Sequence, residues 1–175
     1  MLNFKTNINL LILLFFIGSL AIPSFSSAQK LATLKAEAQL SNVEGRSIVK
    51  ARDHHVVIDA PPPLGGPNEA INPIEILLTS LASCGVLVSE RVAHEMDMTL
   101  NRASADVECD LDPRGVKGVD VNPRIQVFRV KLALDGPTEK QAKQLVEAIK
   151  TRCPIYTTLE RSAPIEMELV LEGKG

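Results

Sequence analysis

The residues of this chain best suited to chemistry are its three cysteines, Cys84, Cys109 and Cys153. A thiol acts as a nucleophile only as the thiolate, so its surroundings decide whether it reacts. Pro154 directly follows Cys153, and proline fits the first turn of a helix. Cys153 is therefore expected at or beside an N-cap, where free N–H groups and the helix dipole favour the thiolate, with Arg152 as a neighbouring charge. Cys84 falls in the middle of the long apolar segment Asn72–Met98, where the dipole helps less. To be reactive it needs a cation from elsewhere, and the candidates are Arg46, Arg52, His54, His55 and Arg91. The plain alternative for Cys84 is a small buried hydrophobe. Cys109 stands between Glu108 and Asp110, which oppose thiolate formation, and reads as structural or spare. The wide spacing shows no zinc pattern, so neither a metal nor another cofactor is expected. Three cysteines are also too few, and odd in number, for a disulfide scaffold.

The elements that must position these residues follow from pattern. Asn72-Pro73 is a helix start, and Ile74, Leu77, Leu78, Leu81, Cys84 and Val88 recur at helical spacing up to about Met98. Ile76, Val86 and Leu87 make the helix apolar nearly all round, which asks for burial on every face. It reads as too short, and too polar after Ser89, to span a membrane. Ahead of it, Asp59–Asn72 (DAPPPLGGPNEAIN) is a loop dense in proline and glycine. Further upstream, three short segments ending at Leu40, Ala51 and Asp59 read as an antiparallel meander. Downstream, strands are expected over 98–110 and 125–134. A capped amphipathic helix runs from Thr138 to Lys150, a short helix covers 154–161, and a final strand covers 164–171. Helices that interrupt runs of strands make the chain α+β.

Met1–Ala28 carries one charge, Lys5, then an apolar run and small residues at Ser26-Ser27-Ala28. This is the pattern of a secretory signal peptide, with an uncleaved anchor as the alternative. It predicts a domain over residues 29–175, exported to the periplasm or the exterior, without a stable membrane span once the signal is removed. The mature part keeps only Phe128 and Tyr156 as aromatics, so its core must be aliphatic. A small aliphatic domain has little interior to offer a helix that is apolar all round, and a subunit interface would supply the rest. The net charge of −2, with both signs interspersed, gives no nucleic-acid footprint.

The run LGGPNEAINPIEILLTSLASC, from Leu64 to Cys84, together with Arg152-Cys153-Pro154 and the order of elements, resembles the OsmC/Ohr family. The resemblance covers residues 31–171. It implies an α+β, OsmC-like fold, with antiparallel curved sheets around long buried central helices in an intertwined homodimer. It also implies a thiol peroxidase for organic hydroperoxides. By position, Cys84 resembles the peroxidatic cysteine and Cys153 the resolving one, joined as a disulfide after a sulfenic acid forms on Cys84. A thiol or dithiol would then restore them. The assisting guanidinium resembles Arg46, with Arg52 as second choice. In the clearest peroxidases an acid directly follows the helix-start proline. Here that position is Ile74, and the acid comes one residue later, at Glu75. Two other outcomes stay open: an OsmC-like protein without peroxidase activity that binds an apolar ligand in the dimer cleft, and a purely structural disulfide.

Overall fold

The structure, a computed structural model, describes residues 31–173. The chain divides into two compact units, Met1–Leu34 and Lys35–Gly175. Of the first, only residues 31–34 are described, as exposed chain without regular structure. The signal peptide expected over residues 1–28 lies outside the described residues.

The second unit opens with three short strands, β1 (Glu37–Leu40), β2 (Arg46–Ala51) and β3 (His54–Asp59), in one antiparallel sheet. Next comes α1, Pro73–Glu95. Asn72 caps it: Ile74 and Glu75 donate their N–H groups to its Oδ1 at 2.9 and 3.0 Å, while the Glu75 carboxylate accepts from the Asn72 N–H at 2.7 Å. This reciprocal box satisfies donors that the first turn leaves open. By length and composition alone α1 is long and apolar enough to cross a membrane, contrary to the sequence expectation. It packs instead against α2, α3 and β4.

A second sheet has the order β4 (Arg102–Asp110), β5 (Val127–Asp135), β6 (Ile165–Glu172). The chain crosses from β5 to β6 through α2 (Glu139–Arg152) and α3 (Pro154–Leu159). β4 and β5 are antiparallel, but β5 and β6 pair in parallel, so the sheet is mixed rather than wholly antiparallel. Phe128, Val130, Leu132 and Leu134 point inward from β5 and meet Ala142, Leu145 and Ile149 of α2. The opposite face of β4–β6 carries Asp106, Glu108, Lys131, Glu166 and Glu168 in solvent, the usual one-sided burial of a sheet with helices on one face.

Candidate functional site

Two clusters emerge, one sulfur and one charged. The first joins α1 to the junction of α2 and α3. Cys84 and Cys153 form a disulfide with their Cα atoms 6.1 Å apart. Cys153 is the last cap of α2 and the N-cap of α3 at once, in extended backbone (φ −80°, ψ 114°) that breaks one helix and starts the next. Pro154 cannot continue a helical ladder from α2, and it suits the first position of α3. The Cys153 N–H donates to Ile149 O at 3.0 Å. Its Sγ accepts the Tyr156 N–H at 3.3 Å, the cap contact the sequence anticipates. Cys153 is 0% exposed, whereas Cys84 is half-buried.

Arg152 does not serve the sulfur. It donates to the Glu95 carboxylate at 2.6 and 3.1 Å, and Arg91 reaches the same group at 2.6 Å. The two guanidinium groups, Arg152 first, hold the Glu95 carboxyl down to about 2. The effect is to tie the end of α1 to the end of α2. Cys109 on β4 is a free thiol, and burial pushes its pKa up, with the Asp110 charge adding to it. This supports the structural reading, with burial outweighing the flanking acid.

The second cluster is built on the β2–β3 hairpin. A two-residue turn at Arg52–Asp53 pairs Arg46 with Asp59 across the ladder. Arg46 donates from Nε and Nη2 to the two Asp59 oxygens at 2.7 and 2.8 Å, and from Nη2 to Glu69 at 2.8 Å. Asp59 is 1% exposed and also accepts the N–H groups of Glu69 and Ala70, both at 3.0 Å. The Arg46 bond, above all, and these two N–H groups overcome the opposing effect of burial and hold its carboxyl at about 2. Asp59 thus binds the arginine and the loop before α1 into one unit. The double glycine lets that loop close: a Cβ on Gly66 would fall 1.8 Å from the Ala60 carbonyl oxygen. No side chain fits such an approach.

The sequence-derived residues therefore separate. Cys84 and Cys153 come together. Arg46 is clamped, but its acids are Asp59 and Glu69, while Glu75 is taken up in the helix cap. Arg52 lies exposed in the turn at the other end of the hairpin (φ 56°). At about 3.3 Å per residue that is roughly 20 Å along the strand from Arg46. The sequence-derived candidates leave out Asp59 and Glu69, since neither stands in a motif that marks it as a partner of Arg46. A signal existed, since Arg46 and Asp59 are equidistant from the Arg52–Asp53 turn.

Beside the clamp lies an open, mostly apolar cleft of about 1150 Å³. Leu40, Ile58, Leu64, Ile74 and Leu111 line it, with Arg46 and Asp59 in its wall. Cys84 is not among its lining residues. It lies ten residues beyond Ile74 on α1, about 15 Å along the axis. Within one chain the sulfur pair and the clamp stand apart.

The profile of the family described as OsmC-like protein matches residues 66–168, more than half of the chain, including both bonded cysteines but not Arg46 or Asp59. None of the curated protein sequences matches the chain. Among solved structures, an OsmC-like protein from Mycoplasma pneumoniae is similar at a TM-score of 0.70 and 18% identity, over 80% of this chain and 97% of that one. An organic hydroperoxide resistance protein OsmC from Legionella pneumophila gives 0.63 at 20% identity, over 81% and 99%. A putative organic hydroperoxide resistance protein from Vibrio cholerae, with captopril in one of its active sites, gives 0.56 at 23% identity, over 83% and 96%. At these identities the likeness is one of fold.

Proposed function

The chain belongs to the OsmC-like protein family, and from that premise we propose that it is a thiol-dependent peroxidase for organic hydroperoxides. The observation that carries this reading is the Cys84–Cys153 bond, a redox pair set between helices rather than a staple between loops. In the reduced protein, the Cys84 thiolate attacks the terminal oxygen of the hydroperoxide. The O–O bond breaks, an alcohol leaves after taking a proton, and Cys84 becomes a sulfenic acid. The Cys153 thiol then displaces water from it and forms the disulfide. An external thiol or dithiol supplies the two electrons that restore both cysteines.

Arg46 is the guanidinium of this reading. Asp59 and Glu69 hold it fixed, and a planar fork of donors suits an anionic sulfur and a leaving oxygen. Because clamp and cysteines stand apart in one chain, the reading includes a homodimer in which each subunit's clamp approaches the other's cysteine pair. The outward apolar side of α1, with Leu87 61% exposed, supports such an interface. Export through residues 1–28, to the periplasm or the exterior, belongs to the same reading and places the reductant outside the cytosol.

The test is consumption of cumene hydroperoxide with dithiothreitol as reductant. Cys84→Ser is expected to fall to the uncatalysed background, Cys153→Ser to lose disulfide formation, and Arg46→Ala to slow turnover. If Cys84→Ser matches the wild-type rate, the reading fails. A second reading, binding of an apolar ligand without peroxidase activity, is favoured by the lining of the cleft and by Ile74 in its wall. Saturable binding of a fatty acid, with no peroxide consumed, would select it.

A further inference from the structure

We propose that Arg152 is a positioning residue for the disulfide: through Glu95 it holds Cys153 within reach of Cys84 while the bond is open. Arg152 touches neither sulfur and acts through the backbone of its neighbour. Its part in resolving a sulfenic acid rests on the peroxidase reading, but the positioning itself rests on contacts within one chain.

The need arises at the joint between two helices. Cys153 is 0% exposed and stands in extended backbone, where α2 has ended and α3 has not begun. Both neighbours are weak there. The last turn of a helix lacks intrahelical partners for its carbonyl groups and frays. α3 has six residues, too few to hold a helix by itself. Ala142, Leu145 and Ile149 seat α2 in the core, but all three lie upstream of the joint. Beside the disulfide, α1 and α2 meet at Gly85, where Ile149 Cδ1 stands 3.9 Å from the place of a Cβ. One contact of this kind leaves the end of α2 free to pivot.

Arg152 supplies the second tie. It is the last helical residue of α2, and it donates from Nη1 and Nη2 to the two Glu95 oxygens at 2.6 and 3.1 Å. Glu95 ends α1, eleven residues past Cys84 and roughly 16 Å along the axis. Two ties at that separation fix the direction of the last turn of α2 against α1. Local chemistry does not favour Glu95 there, since a carboxylate at a helix C-terminus opposes the dipole. Arg152, followed by Arg91, offsets this and holds the Glu95 carboxyl at about 2, so it is ionised wherever thiols exchange. Exposed ion pairs usually contribute little, but a two-pronged arginine–carboxylate contact is the exception. Positioning needs no access from solvent, so it is compatible with a partner subunit over the Leu87 flank.

The coupling is reciprocal. If the ion pair favours the sulfur bond, the sulfur bond favours the ion pair by the same factor. A pair that stabilised the open and closed forms equally would leave the redox equilibrium unmoved.

The experiment equilibrates the full chain, carrying Cys109→Ser so that two thiols remain, with mixtures of reduced and oxidised glutathione. The two protein thiols give two electrons and two protons to one glutathione disulfide, which leaves as two glutathione thiols. Acid quenching and maleimide mass tagging then give the effective concentration of one thiol at the other. Glu95→Gln and Arg152→Gln are each expected to lower it by about threefold or more. The double variant should fall no further than the single ones. Lys143→Gln, which opens the Lys143–Glu139 pair on the same helix, should leave it unchanged. In about 1 M sodium chloride the wild-type value should fall toward that of Glu95→Gln, a measurement that needs no variant to fold. An unchanged value in Glu95→Gln and Arg152→Gln overturns the proposal. So does an additive loss in the double variant, an equal loss in Lys143→Gln, or a wild-type value indifferent to salt. No hydroperoxide is present, so a failure here leaves the peroxidase reading untouched, and a failed peroxidase assay leaves this result standing.

Discussion

The second sheet with its helices holds the fully buried apolar core, whereas no apolar side chain of the first sheet is fully buried. Leu132, Leu134 and Leu145 have no exposed surface, but Leu40 is 86% exposed and Val56 and Val57 are 41% exposed each. The same residue types are thus put to different use. Around β5 they form the interior. In β1–β3 they form a surface, and the sheet is tied to the rest of its unit by charge and backbone hydrogen bonds around Asp59. The part-exposed valines and Leu40 of this region are surface that the proposed homodimer would cover.

Four measurements break or sharpen this contrast. The largest effect is expected from reduction. The bond spans 69 residues of sequence, and closing a loop of that length stabilises by about 4 kcal/mol on the chain-entropy view. Urea unfolding with and without reductant measures it, and no change would mean the bond adds nothing beyond packing. Next, Leu145→Ala is expected to destabilise by about 3 kcal/mol. Val56→Ala should cost less than about 0.5 kcal/mol in an isolated chain. Equal costs for the two would show that the first sheet is buried against another subunit. Smaller still, Asn72→Ala removes the α1 cap for about 1 kcal/mol. Glu75→Ala should cost less and leave peroxide consumption unchanged, whereas a loss of activity there would mean that Glu75 serves the site as well as the cap.

The last effect is local. The Asp59 carboxyl is held at about 2 against an ordinary 3.8. The unfolded chain therefore binds more protons than the folded one in this range. The stabilisation is complete above the ordinary value and lost as the pH falls through about 2. Hydrogen exchange at the Glu69 and Ala70 amides should accelerate over that window, and Asp59→Asn should already exchange fast at neutral pH. Protection that does not depend on pH would mean the loop holds without the clamp.

The contrast also marks what the sequence could disclose. Asn72-Pro73, Thr138 with Gln141, and Cys153-Pro154 announce helix starts through local chemistry, and all three cap as expected. The alternation in β5 reveals which side chains point inward, but periodicity has no direction. It could not show that β5 and β6 run parallel. The clamp was hidden for a related reason. Arg46, Asp59 and Glu69 are distant in sequence and meet only through strand register and the fold of a proline-rich loop. The apolar pattern of α1 was visible, yet it did not show which side would stay open. The partners across that helix decide this, and only Leu81, Gly85, Ser89, Val92 and Ala93 are fully buried.

The disulfide also closes a covalent ring that contains β4, β5 and α2. The ring passes through the exposed loop around Lys117, between β4 and β5. A single trypsin cut after Lys117 would leave Cys84 on one fragment and Cys153 on the other. The nicked oxidised protein would migrate as one band in a denaturing gel, and the reduced protein as two. A protease and an electrophoresis gel would then read the oxidation state in a crude extract, without any reagent that touches sulfur.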